Sequence, residues 1–105
     1  MQINELVEKL ELNILAKGDM DADVTGGYSS DLLSWVMAHG VRGGAWITVQ
    51  THMNIIAVAS LLDMSIIIIP EGIEVDQPVL DKAAEEGITM ASSKKTAYEL
   101  SGLMY

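Results

Sequence analysis

Gln50-Thr51-His52-Met53-Asn54 gathers four hydrogen-bonding side chains into five positions, among them one of only two histidines in the chain. An amide, a hydroxyl and an imidazole this close together suit recognition of a polar ligand, since neutral imidazole can accept or donate a hydrogen bond. Part of the cluster has a plainer account. Thr51 is placed to cap a helix and Asn54 to complete the cap. That puts His52 in the first turn, where the positive end of the helix dipole favours the neutral ring. Gln50 and His52 have no such framework role, so binding and structure both stay open here.

Asp19-Met20-Asp21-Ala22-Asp23 places carboxylates at alternate positions, like the start of a calcium loop. The pattern then fails, with Val24 where that loop needs glycine and Ser30 where it needs a bidentate Glu. Three carboxylates remain that could hold Mg²⁺ with a ligand phosphate, or simply form a solvated acidic loop. Thr25-Gly26-Gly27 would let a backbone approach a ligand closely ahead of a helix, or would make a turn. It is no P-loop, and no GxxxxGK[ST] occurs in the chain. Ser92-Ser93-Lys94-Lys95-Thr96 is the densest cationic stretch; it can meet a phosphate, or be a capping box with solvated lysines. His39 suits the end of a helix, where its cation complements the dipole. Two histidines without a spacing relation make no zinc site. The absence of cysteine excludes disulfides, thiolate metal sites and cysteine nucleophiles.

The elements that must position these residues centre on Ala45 to Pro70, which has the form strand, helix, strand. Ile66-Ile67-Ile68-Ile69 shows no alternation, so both of its faces must be buried, as in the middle of a parallel sheet covered on two sides. In such sheets ligands bind beyond the carboxyl ends of the strands, where Gln50 to Asn54 and Glu71 would lie. Ile3, Leu6, Val7 and Leu10 have the spacing of an amphipathic helix. Asn13 to Ala16 is a first strand, followed by a loop over Lys17 to Gly27. A second helix, capped by Ser29 or Ser30 with Asp31 in its first turn, is expected to bury Leu32, Leu33, Val36 and Met37 and to stop near Gly40. Arg42-Gly43-Gly44 turns the chain into the Trp46 strand. Glu71-Gly72 is a turn, Pro78 suits the start of a helix, and Gly87 its end. Ile88 to Ala91 forms a last strand. Ser92 or Ser93 then precedes a terminal helix with Ala97, Leu100, Leu103 and Met104 on one side. The order predicts a three-layer α/β domain with a mostly parallel sheet of about four strands flanked by helices.

Composition narrows the function classes. A chain of 105 residues is one domain, and half of them are hydrophobic. Six basic residues against fifteen acidic ones give a net charge of −9, which argues against nucleic-acid binding and against an anionic membrane surface. Asp63 interrupts the apolar region from Ile55 to Pro70, so it is expected to be core and not a membrane span. The charged N-terminal stretch lacks the apolar core of a signal peptide. A cytoplasmic protein is expected.

From about Lys17 to Tyr105 the chain resembles the DRTGG-motif domain family. The resemblance rests on Asp23-Val24-Thr25-Gly26-Gly27, on Tyr28 to His39, and on Trp46 to Asn54. It implies a fold similar to the N-terminal domain of bacterial HPr kinase and a regulatory module that self-associates. It carries no kinase activity, since the catalytic half with its P-loop is absent from this sequence. The family motif has arginine where this chain has Val24, which removes the only cation from an acidic loop and disfavours a bare phosphate there.

The expectation is a stand-alone regulatory or sensing module, not an enzyme and with no cofactor, that binds a nucleotide or similar small metabolite at the strand ends. Its predicted pocket comprises Asp23, Thr25, Gly26 and Gly27, with Gln50, Thr51, His52 and Asn54, and with Glu71 and Ser92. A homodimer is expected. The alternative is an interaction module for a separately encoded protein partner, marked by a large exposed apolar patch on the helical faces. An enzyme using His52 as acid or base would need a carboxylate partner for that ring in a pocket.

Overall fold

The computed structural model describes all residues from Met1 to Tyr105. Helix α1 (Ile3–Leu10) buries Ile3, Leu6 and Leu10, three of the four apolar positions that its spacing marks. It is followed by β1 (Asn13–Ala16), β2 (Gly27–Ser29), α2 (Leu33–His39), β3 (Ala45–Ile47), α3 (Asn54–Leu61), β4 (Ile66–Ile69), α4 (Gln77–Glu85), β5 (Thr89–Ser92) and α5 (Ala97–Met104). The strands form one sheet in the order β1-β5-β4-β3-β2. β2, β3, β4 and β5 are parallel, while β1 pairs antiparallel with β5. β4 lies at the centre and all four of its isoleucines are buried, as their lack of alternation requires.

Two cores lie on the two faces of this sheet. Trp46, Ile67, Ile69 and Met90 pack with Val36 of α2, Ile55, Ile56 and Ala59 of α3, and Val79 and Ala83 of α4. Ala45, Ile47, Ile66, Ile68 and Ala91 pack with Ile3, Leu6 and Leu10 of α1 and Leu100 of α5. The domain is therefore three-layered, α2–α4 on one face and α1 with α5 on the other. The run from Ile55 to Pro70 is divided between α3 and β4, and no helix is long and apolar enough to cross a membrane.

The sheet has a fifth strand because Gly27–Ser29, expected as loop and helix cap, pairs with Ala45–Ile47. Three residues holding two β-poor types show no strand pattern alone; a neighbour offering a ladder decides the matter. The second helix also differs. It starts at Leu33 with no side-chain cap, and of its apolar residues only Val36 is buried. Leu32 is 62% exposed, Trp35 52% and Met37 48%. A short helix over the edge of a sheet has one narrow stripe to bury, so the flanking apolar residues remain outside. Gly40 does end α2, with extended backbone; a side chain there would meet the Val36 carbonyl oxygen at 2.7 Å. At the far end, Leu100 is buried, Leu103 is 45% exposed, and Thr96 with Glu99 caps α5.

Candidate functional site

The antiparallel β1 decides where the predicted site residues go. The carboxyl ends of β2 to β5 share one end of the sheet, and the chain beyond them carries Gln50, Thr51, His52, Asn54, Glu71 and Ser92. The loop after β1 leaves in the opposite direction and runs under the amino ends of the same strands. Asp23, Thr25 and Gly26 belong to that loop, and Gly27 opens β2. The structure thus does not bring Asp23, Thr25, Gly26 and Gly27 together with the other six. A strand–helix alternation implies that every loop after a strand falls on one side; one reversed strand breaks that implication.

At the carboxyl end, Asp31 organises the loop after β3. One of its carboxylate oxygens accepts from the Thr48 hydroxyl at 2.9 Å and from the Val49 N–H at 2.8 Å. The Gln50 side-chain amide donates to the Asp31 carbonyl at 3.0 Å, and the Gln50 N–H donates to Thr48 Oγ1 at 3.1 Å. Trp46 Nε1 donates to the Ser30 carbonyl at 2.9 Å. Gln50 therefore has a framework role after all, with its amide oriented by β2's outgoing chain. Asp31 is not the first-turn acid that the sequence predicts, since α2 starts at Leu33. Its actual task depends on β2 lying beside β3, which only the sheet establishes.

Thr51 does not cap α3. The helix begins at Asn54, its cap position Met53 is itself helical, and no side chain caps it. His52 stands just ahead of the helix, exposed, with its carbonyl accepting the Ile55 N–H at 3.1 Å and its Nδ1 within 3.4 Å of the Asn54 N–H. His52 Nε2 makes no hydrogen bond within the chain. No carboxylate is hydrogen-bonded to this ring.

The chain leaves β4 toward α4 on one face and leaves β5 toward α5 on the other. Such divergence between neighbouring parallel strands opens a crevice in α/β sheets. Glu71 and Gly72 turn here with positive φ of 61° and 65°. Their N–H groups donate to the carbonyls of Lys95 and Ser93, both at 2.8 Å, so backbone bonds tie the two connections together just beyond the strands. Ser92 ends β5 half-buried. Lys94 is exposed and, like Lys95, is in no ion pair; the molecule's ion pairs are Arg42–Asp63, Lys82–Glu85 and Lys82–Glu86. This end of the sheet thus carries two lysines in no ion pair after β5, with β4 between them and the His52 segment that follows β3.

At the other end, the acidic residues do not converge. Asp19 accepts from the Asp21 N–H and Asp21 from the Asn4 side chain, each at 3.0 Å. No three acidic, histidine or cysteine groups are grouped to hold a metal ion. Thr25 is tied to the Arg42-Gly43 turn, donating its hydroxyl to the Arg42 carbonyl at 2.7 Å and its N–H to that of Gly43 at 3.0 Å. The Asp23 carbonyl accepts from Ser65 Oγ at 2.8 Å. Thr25, Gly26 and Gly27 do line a cavity of about 500 Å³ that runs along β2 between α1 and α5.

Comparison with protein-family models and with curated proteins finds no match. A solved structure of similar fold is that of the CBS and DRTGG domains of the regulatory region of Clostridium perfringens pyrophosphatase, complexed with its activator diadenosine tetraphosphate. The likeness has a TM-score of 0.79 at 13% identity and covers 98% of this chain but 45% of that one. At that identity what is shown is a related fold.

Proposed function

We propose that this chain is a DRTGG-type regulatory module, cytoplasmic and without catalysis of its own, that senses a nucleotide or similar phosphorylated metabolite. The effector binds at the carboxyl ends of β3, β4 and β5, its phosphate meeting Lys94 and Lys95 and its polar base or sugar meeting His52, Asn54 and the free oxygen of the Gln50 amide. Thr51, Glu71 and Ser92 belong to the same end of the sheet. The observation that carries this reading is the gathering of Lys94, Lys95, His52 and the Gln50 amide beyond the carboxyl ends of the parallel strands β3 to β5. The fold likeness to a regulatory region that holds a dinucleotide activator supports it.

The test is a thermal-shift series with adenine nucleotides and dinucleoside polyphosphates, with and without Mg²⁺. Ligand at 100 times its dissociation constant adds about 2.7 kcal/mol to the folded state. The shift should vanish in Lys94→Ala/Lys95→Ala, shrink in His52→Ala and survive Thr25→Ala, whose side chain lies at the other end of the sheet. A shift abolished by Thr25→Ala but kept by the lysine variant would move the site away from these strand ends.

The module also self-associates in this reading. The free edge of β2, Gly27-Tyr28-Ser29, bears none of the charges or prolines that protect exposed edges, and a second copy can continue the sheet there. Light scattering behind size-exclusion chromatography should return the mass of two chains; one chain at all concentrations would remove the dimer. A second reading, docking of a separate protein partner, is favoured by the exposed Leu32 just before α2 and the exposed Trp35 and Met37 on it. Leu32→Ser/Trp35→Ser would abolish such docking without altering the nucleotide shift.

A further inference from the structure

From Leu32 to Leu62 the chain carries a single charged residue, Arg42, although a fifth of the whole chain is charged. Arg42 is bound to Asp63. Helix α3 comes entirely from this stretch. Its Ile55, Ile56, Val58 and Ala59 are buried, and what remains outside is apolar or uncharged. Met53, just before the helix, is 39% exposed and Leu61 is 61% exposed, with Asn54, Ala57 and Ser60 exposed between them. A helix without charge on any side belongs in an interior. α3 does lie between α2 and α4 in its layer, yet its outer side is bare. Met53, Ala57 and Leu61 follow one another at one-turn spacing and so line up along that side.

This stripe is the floor of a groove of about 480 Å³, and α4 supplies the other wall through Lys82 and Glu86. That wall is acidic. Lys82 is the only cation of α4 and is shared by Glu86 at 3.1 Å and Glu85 at 3.8 Å, which leaves one negative charge in excess. Neither end of the chain lines the groove. Leu61 and Glu86 mark the end at which α3 and α4 finish, away from the carboxyl ends of the strands and from the effector site proposed there.

Charge and shape select the occupant. The floor takes apolar side chains, and the α4 wall takes a cation. α3 spans about 12 Å, or two turns, so a helix laid along it presents anchors at i, i+3, i+4 and i+7. A second copy of this chain, at a net charge of −9, would bring further acids to that wall, and an anionic membrane is repelled for the same reason. We propose that the groove between α3 and α4 docks an amphipathic helix of another protein. Its apolar side chains rest on Met53, Ala57 and Leu61, and lysines or arginines along one edge meet Glu85 and Glu86. This surface is separate from the exposed residues of α2 and does not depend on the effector reading.

The probe is a fluorescein-labelled, amidated peptide of about 14 residues, four helical turns, with leucine along one side and lysine elsewhere. The same peptide with glutamate for lysine is the control. Anisotropy is read in about 150 mM salt, where distant charges are screened. Wild type should bind the lysine peptide and not the glutamate one. Leu61→Ser should weaken binding about tenfold, the scale of one leucine left unburied, and Ala57→Lys, a cation in the middle of the stripe, should abolish it. Glu85→Gln/Glu86→Gln should weaken it about threefold, as for exposed ion pairs. Glu8→Gln/Glu11→Gln, an equal loss of charge at α1, and Trp35→Ser on α2 should leave it unchanged. The proposal is overturned if wild type binds both peptides alike or neither, if Leu61→Ser and Ala57→Lys bind as wild type does, or if the two glutamate pairs are equivalent. It also falls, in favour of another occupant, if Leu61→Ser halves the mass of a wild-type oligomer, or if wild type but not Leu61→Ser binds phosphatidylserine vesicles. Should Leu61→Ser fail to fold by circular dichroism, Ala57→Lys decides. Nucleotide thermal shifts on the same variants report the strand-end site separately.

Discussion

A carboxylate that accepts several hydrogen bonds from one neighbouring segment acts as a clamp, and Asp31 does so for the loop carrying Gln50 to His52. Thr48 is 1% exposed and has its hydroxyl on Asp31, so removing the acceptor strands a buried donor. We expect Asp31→Ala to cost about 2 kcal/mol in urea unfolding, within the range for bonds to charged groups. Asp31→Asn, which keeps an acceptor oxygen, should recover much of it; equal losses in the two variants would show that the clamp is not the cause. Gly18 is fixed by close approach instead. A Cβ there would lie 2.1 Å from the Gly87 carbonyl oxygen, a backbone atom, and Gly87 needs its own positive φ of 72° to end α4. Gly18→Ala should cost about 1–3 kcal/mol by overpacking, and an unchanged unfolding midpoint would contradict the contact.

Among the elements, α5 is the one whose stability is tied to acid pH. The Glu99 carboxyl is held below its ordinary value of 4.5, first by the hydrogen bond from the Thr96 N–H and then by that from the Thr96 hydroxyl. A carboxyl whose folded value is depressed stabilises the fold above its unfolded value, and that contribution is lost as pH falls through the folded one. The Tm difference between wild type and Glu99→Gln should therefore be constant near neutrality and shrink below pH 4.5. A difference that persists to the lowest pH at which the protein is folded would exclude this cause. Thr96→Ala, which removes the cap at the Glu99 N–H, should cost about 1 kcal/mol, read from the same melts. The α2 helix illustrates the opposite situation. It is short, uncapped and buries one side chain, so amide hydrogen exchange should find it among the first helices to open.

The whole molecule is one sheet shared by two cores, and β4 belongs to both. Ile67 faces the α2–α4 side and Ile68 the α1–α5 side, each fully buried. Truncation at either should cost about 2–5 kcal/mol, and each variant should still unfold in a single step by far-ultraviolet dichroism and by fluorescence of the buried Trp46. Separate transitions for the two probes would mean that the layers melt independently.

Much of this architecture was legible in the chain itself. Four consecutive isoleucines located the central strand, the apolar spacing of Ile3, Leu6 and Leu10 located the first helix, and alternating elements gave the three layers. These signals are local: burial on two faces, or on one stripe, leaves its mark on the residues buried. Pairing direction leaves none. Asn13–Ala16 looks the same whether it runs with β5 or against it, yet its antiparallel course sends the next ten residues under the sheet and divides the predicted pocket into two distant groups. Gly27-Tyr28-Ser29 became a strand because β3 was there to pair with, and Asp31 found Thr48 because β2 then lay beside β3. The sequence by itself determined which residues are inside and what kind of domain encloses them. Which polar residues meet at one end of it depends on contacts between segments far apart in the chain, and those only the tertiary structure decided.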